Sequence, residues 1–235
     1  MTAPSAVPTS LRRHPLGMVI FDCDGVLIDS EAICNRVVAE VLTADGWAMT
    51  ADECEARFIG LTFHDTQVLA EAHLKRRLGA DWVDRLVVLV VEAMARDVLP
   101  MDGALEALAA VDAMGLPWRI ASNSSHEEMD AKFGRVGWQD LVRGRTHSAA
   151  DCIARGGAGK PAPDVFLDAA MAQGIDPAAC LVIEDSLPGA IAARSAGMAC
   201  LGLVPHGDGS ALAGAGARVF HSMRELPNIV REALA

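Results

Sequence analysis

The chain has 235 residues, a formal net charge of −11 and a pI near 5.0. This charge argues against a nucleic-acid or anionic-membrane partner, because both are normally bound by a basic surface. Its length allows one α/β domain with a modest insertion. The six cysteines are scattered without a Cys-x-x-Cys pair or a secretory context, which predicts reduced thiols in a cytoplasmic protein.

The first fifteen residues are predicted to form a disordered tail. They contain proline, serine, threonine and a short basic patch, Arg12-Arg13-His14, but not the apolar segment of a signal peptide. Further along, the longest apolar run, Leu86 to Val91, is far shorter than the ~20 residues that a membrane-spanning helix needs. We therefore expect a soluble protein.

The first predicted strand, Gly17 to Phe21, is followed directly by a pair of aspartates. The strand is apolar throughout and partly β-branched, which is typical of a central strand of a parallel sheet buried on both faces. Because side chains alternate along a strand, Asp22 and Asp24 should point to the same side where the strand ends. Gly25 then allows the chain to turn away.

Residues 30–98 have helical periodicity without a convincing strand. The predicted helices cover residues 31–42, 50–58, 66–78 and 81–96. A segment of this length is too long for an ordinary crossover between strands. We expect an inserted helical domain at 30–98, with residues 16–29 and 99–235 forming the main domain.

The remainder of the chain alternates between strands and helices. The predicted strands cover 118–121, a short segment near 144–148, 180–183, 199–204 and 218–221. The predicted helices cover 104–114, 127–136, 164–173, 189–196 and a last one from 226, while 207–216 is expected to be a loop. This alternation predicts an α/β fold with a doubly wound parallel sheet.

Polar side chains follow three of the predicted strands. They are Asp22 and Asp24, Ser122 and Asn123, and Glu184 and Asp185. Ligands of open parallel sheets bind beyond the carboxyl ends of the strands, and four carboxylates meeting there would repel one another without a cation. Oxygen ligands without histidine or cysteine favour Mg²⁺ over Zn²⁺. The alternative is that these carboxylates are unrelated helix caps and loop residues.

Lys160 lies between a glycine-rich loop and two prolines, Pro161 and Pro163. Its constrained backbone would aim the ammonium group into the acidic site, although a loop lysine is commonly just solvated. A magnesium site beside hydroxyl, amide and ammonium groups suggests that a phosphoryl group binds there.

Four ordered motifs resemble those of the haloacid dehalogenase-like (HAD) hydrolase superfamily. They are Asp22-Cys23-Asp24-Gly25-Val26-Leu27, Ser122-Asn123, Lys160-Pro161-Ala162-Pro163-Asp164 and Glu184-Asp185-Ser186. The chain most resembles the β-phosphoglucomutase/phosphatase subgroup, which has a helical cap inserted after the first motif. The resemblance implies a Rossmann-like core, and the cap would correspond to the helical insertion.

By this resemblance, Asp22 is the nucleophile that forms an aspartyl-phosphate. Asp24 would protonate the leaving oxygen and then activate the water that hydrolyses the intermediate. The Mg²⁺ ion would be held by the Asp22 carboxylate, the Asp24 main-chain carbonyl and Asp185, with Glu184 bound directly or through water.

The phosphoryl oxygens would be held by Ser122 and the Asn123 N–H, and Lys160 would balance the charge. The cap is expected to set substrate specificity. The candidates for that role are Arg57, Thr62 and His64. The expected partner is a small phosphorylated metabolite, such as a sugar phosphate, a phosphosugar acid or phosphoglycolate.

The motifs also bear on three other functions. Asp24 and the acidic pair Glu184-Asp185 argue against dehalogenation, which uses no metal. A phosphosugar mutase remains an alternative, but the histidine and the cap arginine typical of mutases are missing from Ala32–Asn35 and Gly60–His64. A non-catalytic phosphometabolite-binding protein is a second alternative, although such a relative would be expected to have lost one of the two aspartates. We expect a monomer or a weak homodimer.

Overall fold

The computed structural model describes residues 15–58, 61 and 63–234 of the chain. The predicted tail therefore lies outside the described residues, except for Pro15. The chain divides into two compact units, one formed by Asp29–Leu99 and the other by the segments on either side of it. We refer to them as the helical unit and the α/β unit.

The strands and helices are numbered along the described part of the chain. The strands are β1 (Met18–Phe21), β2 (Ile28–Asp29), β3 (Leu99–Pro100), β4 (Trp118–Ser122), β5 (Thr146–Ser148), β6 (Cys180–Glu184), β7 (Ala199–Leu203) and β8 (Arg218–Phe220). The α-helices are α1 (Glu31–Ala44), α2 (Ala51–Phe58), α3 (Phe63–Leu74), α4 (Trp82–Asp97), α5 (Ala104–Ala113), α6 (His126–Arg135), α7 (Gln139–Val142), α8 (Ala149–Ala154), α9 (Asp164–Gln173), α10 (Leu187–Ser195), α11 (Ser210–Gly214) and α12 (Leu226–Leu234). Short 3₁₀ helices cover Pro177–Ala179 and Met223–Glu225.

The α/β unit is built on a six-stranded sheet with the order β5-β4-β1-β6-β7-β8, in which all neighbouring strands are parallel. In the centre of this sheet, Val19 pairs with Trp118 of β4 and with Leu181 of β6. The predicted parallel α/β fold is confirmed. The ends of β4 and β6 consequently flank the end of β1, and this places the polar motifs side by side.

Burial explains why β1 is central. All four of its side chains are fully buried. Met18 and Ile20 pack in one cluster with apolar side chains of α9 and α10. Phe21 contacts Trp118 edge to face, with 6.3 Å between ring centroids. Covering both faces stabilises the strand through the hydrophobic effect and fixes the point at which the chain emerges at Asp22.

The helical unit contains α1 to α4 around a core of its own, with Leu42, Trp82 and Leu86 fully or almost fully buried. The longest apolar run of the sequence, Leu86 to Val91, lies in α4. Leu86 and Val90 are buried, whereas the other apolar side chains of the run are exposed. The exposed ones are Val87, Val88, Leu89 and Val91.

Several predicted boundaries were wrong. Helix α3 covers Phe63–Leu74 rather than 66–78. It ends at Leu74 because the next residue, Lys75, has a φ of +53°, which is outside the range of a right-handed helix. The segment 207–216, predicted as a loop, contains α11, where the Asp208 carboxylate accepts a hydrogen bond from the Ser210 N–H and Leu212 is buried. The two-residue strands β2 and β3 and the short helices α7 and α8 are below the length at which periodicity can be read.

The six cysteines are free thiols, and five of them are buried. Among the residues that the structure describes, none of the helices has the length and apolar composition needed to cross a bilayer.

Candidate active site

Carboxylates from two adjacent strands meet at the carboxyl end of the sheet. The Asp22 N–H donates to the Ile183 carbonyl at 2.9 Å, which continues the pairing of β1 with β6. Asp22 is thereby placed beside Glu184 and Asp185. One carboxylate oxygen from each of these three residues lies within 4.8 Å of the others.

Lys160 neutralises part of this acidic cluster. Its Nζ donates to Asp22 Oδ1 at 2.5 Å, to Glu184 Oε1 at 2.7 Å and to the Ala121 carbonyl at 2.9 Å. The Lys160 side chain is only 4% exposed. Burial acts to lower the pKa of this lysine, but Asp22 and Glu184 outweigh it, and its pKa lies above the usual range. The Lys160 ammonium group therefore lies within the acidic cluster.

One ammonium group does not fully compensate Asp22. Burial, together with Glu184 and Asp24, raises the pKa of Asp22 to about 7, although Lys160 acts in the opposite direction. Further positive charge would lower the pKa of Asp22 and ionise this carboxylate more completely at neutral pH. The oxygen-only donor set of Asp22, Glu184 and Asp185 fits a hard divalent cation.

Glu184 is held rigidly. Its side chain is fully buried, and its Oε2 accepts hydrogen bonds from the Asp185 N–H, the Ser186 N–H and the Ser186 hydroxyl at 2.8–3.0 Å. Its Oε1 accepts the hydrogen bond from Lys160. The carboxylate lies against Gly189 of α10, where a Cβ atom would overlap it. A glycine is therefore required at the first turn of α10.

A second glycine shapes the loop after β1. Gly25 has a φ of +76°, which a residue with a side chain rarely adopts. A Cβ atom there would also overlap the Asp185 carboxylate. The predicted turn at Gly25 is present, and the missing side chain allows the Asp185 carboxylate to approach the Gly25 main chain.

Asp24 has a partner that the sequence reasoning missed. Lys132 Nζ donates to both Asp24 oxygens, at 2.7 and 2.8 Å, and Ser124 Oγ donates to Asp24 Oδ2 at 2.8 Å. Lys132 is itself buried, and the carboxylate raises the pKa of its ammonium group despite the opposing effect of burial.

The signal for Lys132 is helical spacing. Lys132 shares the buried face of α6 with Met129 and Phe133, three residues before and one residue after it. A charged residue at an apolar position of a helix indicates a buried partner.

The motif Ser122-Asn123 lies at the end of β4, beside β1. Ser122 is buried, and its hydroxyl accepts a hydrogen bond from the Ser124 N–H at 3.1 Å. The Asn123 side chain accepts a hydrogen bond from the Lys160 N–H at 2.9 Å. Asn123 thus ties the lysine segment to β4, a contact that the motif alone did not indicate.

The specificity candidates lie in the helical unit or outside the described residues. Arg57 is exposed on α2, and its guanidinium lies over the Trp47 ring, 5.3 Å from the centroid. His64 is exposed near the start of α3. Thr62 lies outside the residues that the structure describes.

Comparisons with known proteins identify the family of this chain. A family model described as haloacid dehalogenase-like hydrolase matches residues 17–197. The protein SUPPRESSOR OF QUENCHING 1, chloroplastic, of Arabidopsis thaliana is 30% identical over 208 residues, which are 85% of this chain and 19% of that protein. The 6-phosphogluconate phosphatase of Escherichia coli (strain K12) is 28% identical over 183 residues, covering 77% of this chain and 79% of that enzyme.

Among solved structures, a HAD family hydrolase from Deinococcus radiodurans R1 with bound phosphate and sodium matches with a TM-score of 0.82 and 34% identity. The match covers 93% of this chain and 96% of that chain. The chain belongs to the haloacid dehalogenase-like hydrolase family, as its four motifs predicted. Its curated relatives include a named phosphatase, and it spans about a fifth of the length of the Arabidopsis protein.

Proposed function

We propose that the protein is a Mg²⁺-dependent phosphatase that hydrolyses a small phosphorylated metabolite through an aspartyl-phosphate on Asp22. The observation that carries this proposal is the meeting of Asp22, Glu184 and Asp185 around the buried Lys160. A phosphate monoester is anionic, and this strongly acidic protein would bind it through local positive charge at one site.

Mg²⁺ would be held by Asp22, Asp185, the Asp24 main-chain carbonyl, and Glu184 directly or through water. When bound, the ion would neutralise charge on the carboxylates and on the transferring phosphoryl group. The raised pKa of Asp22 supports this assignment, because a bound cation would offset the effects of burial and of the neighbouring carboxylates that raise it.

The Asp22 carboxylate would attack phosphorus, displacing the alcohol and forming the aspartyl-phosphate. An ionised carboxylate is already a nucleophile and needs no base to activate it. Lys160, the Ser122 hydroxyl and the Asn123 N–H would hold the phosphoryl oxygens in the orientation required for transfer. Asn123 also supports the reaction indirectly, since its side chain fixes the main chain of Lys160.

Asp24 would donate a proton to the departing alcohol and later remove one from the water that hydrolyses the aspartyl-phosphate. Lys132 and Ser124 fix the orientation of this carboxyl group, with Lys132 contacting both of its oxygens. We therefore assign Lys132 as a positioning residue that acts through Asp24.

The proposed substrates are sugar phosphates, phosphosugar acids or phosphoglycolate. The 6-phosphogluconate phosphatase relative and the phosphate-bound Deinococcus structure support a phosphorylated ligand. The helical unit would act as the cap, with Arg57, Thr62 and His64 as candidates for selecting among substrates. We propose a cytoplasmic enzyme that is monomeric or a weak homodimer, the latter through the exposed apolar side chains of α4.

The direct test is phosphate release from a panel of phosphorylated sugars, sugar acids and glycolate, with Mg²⁺ and with EDTA. We expect Mg²⁺-dependent release that Asp22→Asn abolishes. Asp130→Asn, which removes an exposed carboxylate of α6, is the matched control and should behave like the wild type. If nothing on a broad panel is hydrolysed, the alternative of a non-catalytic binding protein would replace this proposal.

The panel should include glucose 1-phosphate and its bisphosphate. Conversion of glucose 1-phosphate to glucose 6-phosphate without net phosphate release would identify a mutase. We expect phosphate release instead, because the cap arginine typical of mutases, which must hold a second phosphate in the cap, is missing.

A further inference from the structure

The opposite end of β4 carries a second cluster of charged side chains. A cavity of about 540 Å³ lies where this strand begins, and three arginines line it together with one aspartate. These charged residues are Arg119, Arg143, Arg145 and Asp112. In a protein with a net charge of −11, such a concentration of positive charge is a local exception.

The arginines are poorly compensated by the protein. Arg119 Nε is buried and has no hydrogen-bond partner among the described residues. Arg145 is 3.7 Å from the Asp112 carboxylate, beyond hydrogen-bonding distance, and its guanidinium lies over the Trp118 ring, 4.1 Å from the centroid. Among the residues that the structure describes, Arg143 pairs with Asp140, and both of those side chains are highly exposed.

Arg119 and Arg145 also repel one another. Burial and the charge of Arg145 together lower the pKa of Arg119. An anion bound in the cavity that both arginines line would offset this repulsion. The cavity therefore has the donors and the charge to bind an anion.

The lining also indicates which class of anion fits. Guanidinium groups bind phosphate and carboxylate oxygens through paired N–H donors. Trp118 is the aromatic residue of the lining, but it is buried and one face is covered by Arg145, so no free ring is available to stack a nucleobase. The cavity is roomier than one phosphate group requires.

We propose that this cavity binds a small phosphate-bearing anion, either inorganic phosphate or the phosphate group of a small metabolite. Trp118 and Ser122 are at opposite ends of β4, about 13 Å apart along an extended strand, so this site is separate from the candidate active site. Its existence does not depend on the proposed catalytic function.

Isothermal titration calorimetry of the full chain with inorganic phosphate, in EDTA at low ionic strength, tests the proposal. We expect saturable binding that Arg119→Gln weakens at least tenfold. Arg143→Gln should also weaken it, and because Arg143 is exposed this second variant does not threaten the fold. Arg85→Gln removes an equivalent charge from an exposed position of α4 and should bind like the wild type.

Two results would overturn the proposal. One is the absence of saturable binding by the wild type, and the other is unchanged affinity in both cavity variants, which would place the phosphate elsewhere, for example at Lys160. Glycerol 3-phosphate in the same assay distinguishes the two sources. Binding at least as tight as that of phosphate indicates a metabolite, whereas binding of phosphate alone indicates the free anion, and either result supports the site.

Discussion

The substitution Gly189→Ala separates helix propensity from the geometry of the candidate active site. Gly189 lies in the first turn of α10, and by propensity alone an alanine in a helix is favoured over glycine by about 1 kcal/mol. Its Cβ atom, however, would overlap the fully buried Glu184 carboxylate. The two effects have opposite signs, so the measured sign decides between them.

The magnitude follows from the contacts of Glu184. Moving its carboxylate breaks the buried pair with Lys160, at a cost of about 3–5 kcal/mol, and weakens three hydrogen bonds to Oε2 at about 1 kcal/mol each. Partial relaxation will recover some of this. We expect a net destabilisation of about 2–4 kcal/mol, equivalent to a melting temperature lower by roughly 5–15 °C.

Thermal and urea unfolding of the metal-free protein measure this effect, and phosphatase assays over a range of Mg²⁺ concentrations measure its consequence for the site. Gly214→Ala is the matched control, because Gly214 is also helical but has open space where its Cβ would lie. It should be neutral or slightly stabilising. If Gly189→Ala is as stable and as active as the wild type, Glu184 is not held in the described position.

Three further predictions concern the charged groups of the site. Lys132→Met should lower the rate of the first phosphoryl transfer, measured in single turnovers, about 10–100-fold for alkyl phosphates but about threefold or less for p-nitrophenyl phosphate, because only poor leaving groups need the proton from Asp24 in that step. Equal losses on both substrates would indicate a merely structural lysine. In EDTA, the stability that Asp22 contributes through its raised pKa should be fully present below about pH 4 and lost as the pH rises through about 7. In unfolding experiments, the stability of Asp22→Asn relative to the wild type should therefore increase between about pH 5 and pH 8. A constant difference across that range would contradict the raised pKa. Lys160→Ala should reduce turnover about 100-fold or more, and unchanged kinetics would remove this lysine from the site.

Much of the α/β unit could be predicted because buried parallel strands are continuous apolar runs. Gly17 to Phe21 and Cys180 to Ile183 are such runs, and their polar continuations, Asp22 and Glu184, could be placed together from the parallel topology alone. The helical unit was recognisable because its residues have helical rather than strand periodicity.

The remaining features depend on tertiary contacts. The role of Lys132 required knowing that the buried face of α6 contacts Asp24, which is 108 residues away in the chain. Similarly, α11 forms in a segment rich in glycine because Leu212 finds a buried position. The clustering of the three arginines near Trp118 could not be predicted from the sequence, because they belong to separate segments that only the fold brings to one cavity.

The central claim is that a phosphoryl group is transferred to Asp22, and trapping that intermediate tests it most directly. The Asp24→Asn variant should form the aspartyl-phosphate from p-nitrophenyl phosphate in the presence of Mg²⁺ but hydrolyse it slowly. Acid quenching followed by intact-mass and peptide mass spectrometry is expected to show one added phosphoryl group, located on Asp22. Release of p-nitrophenol by this variant with no adduct, or with an adduct on another residue, would contradict the mechanism.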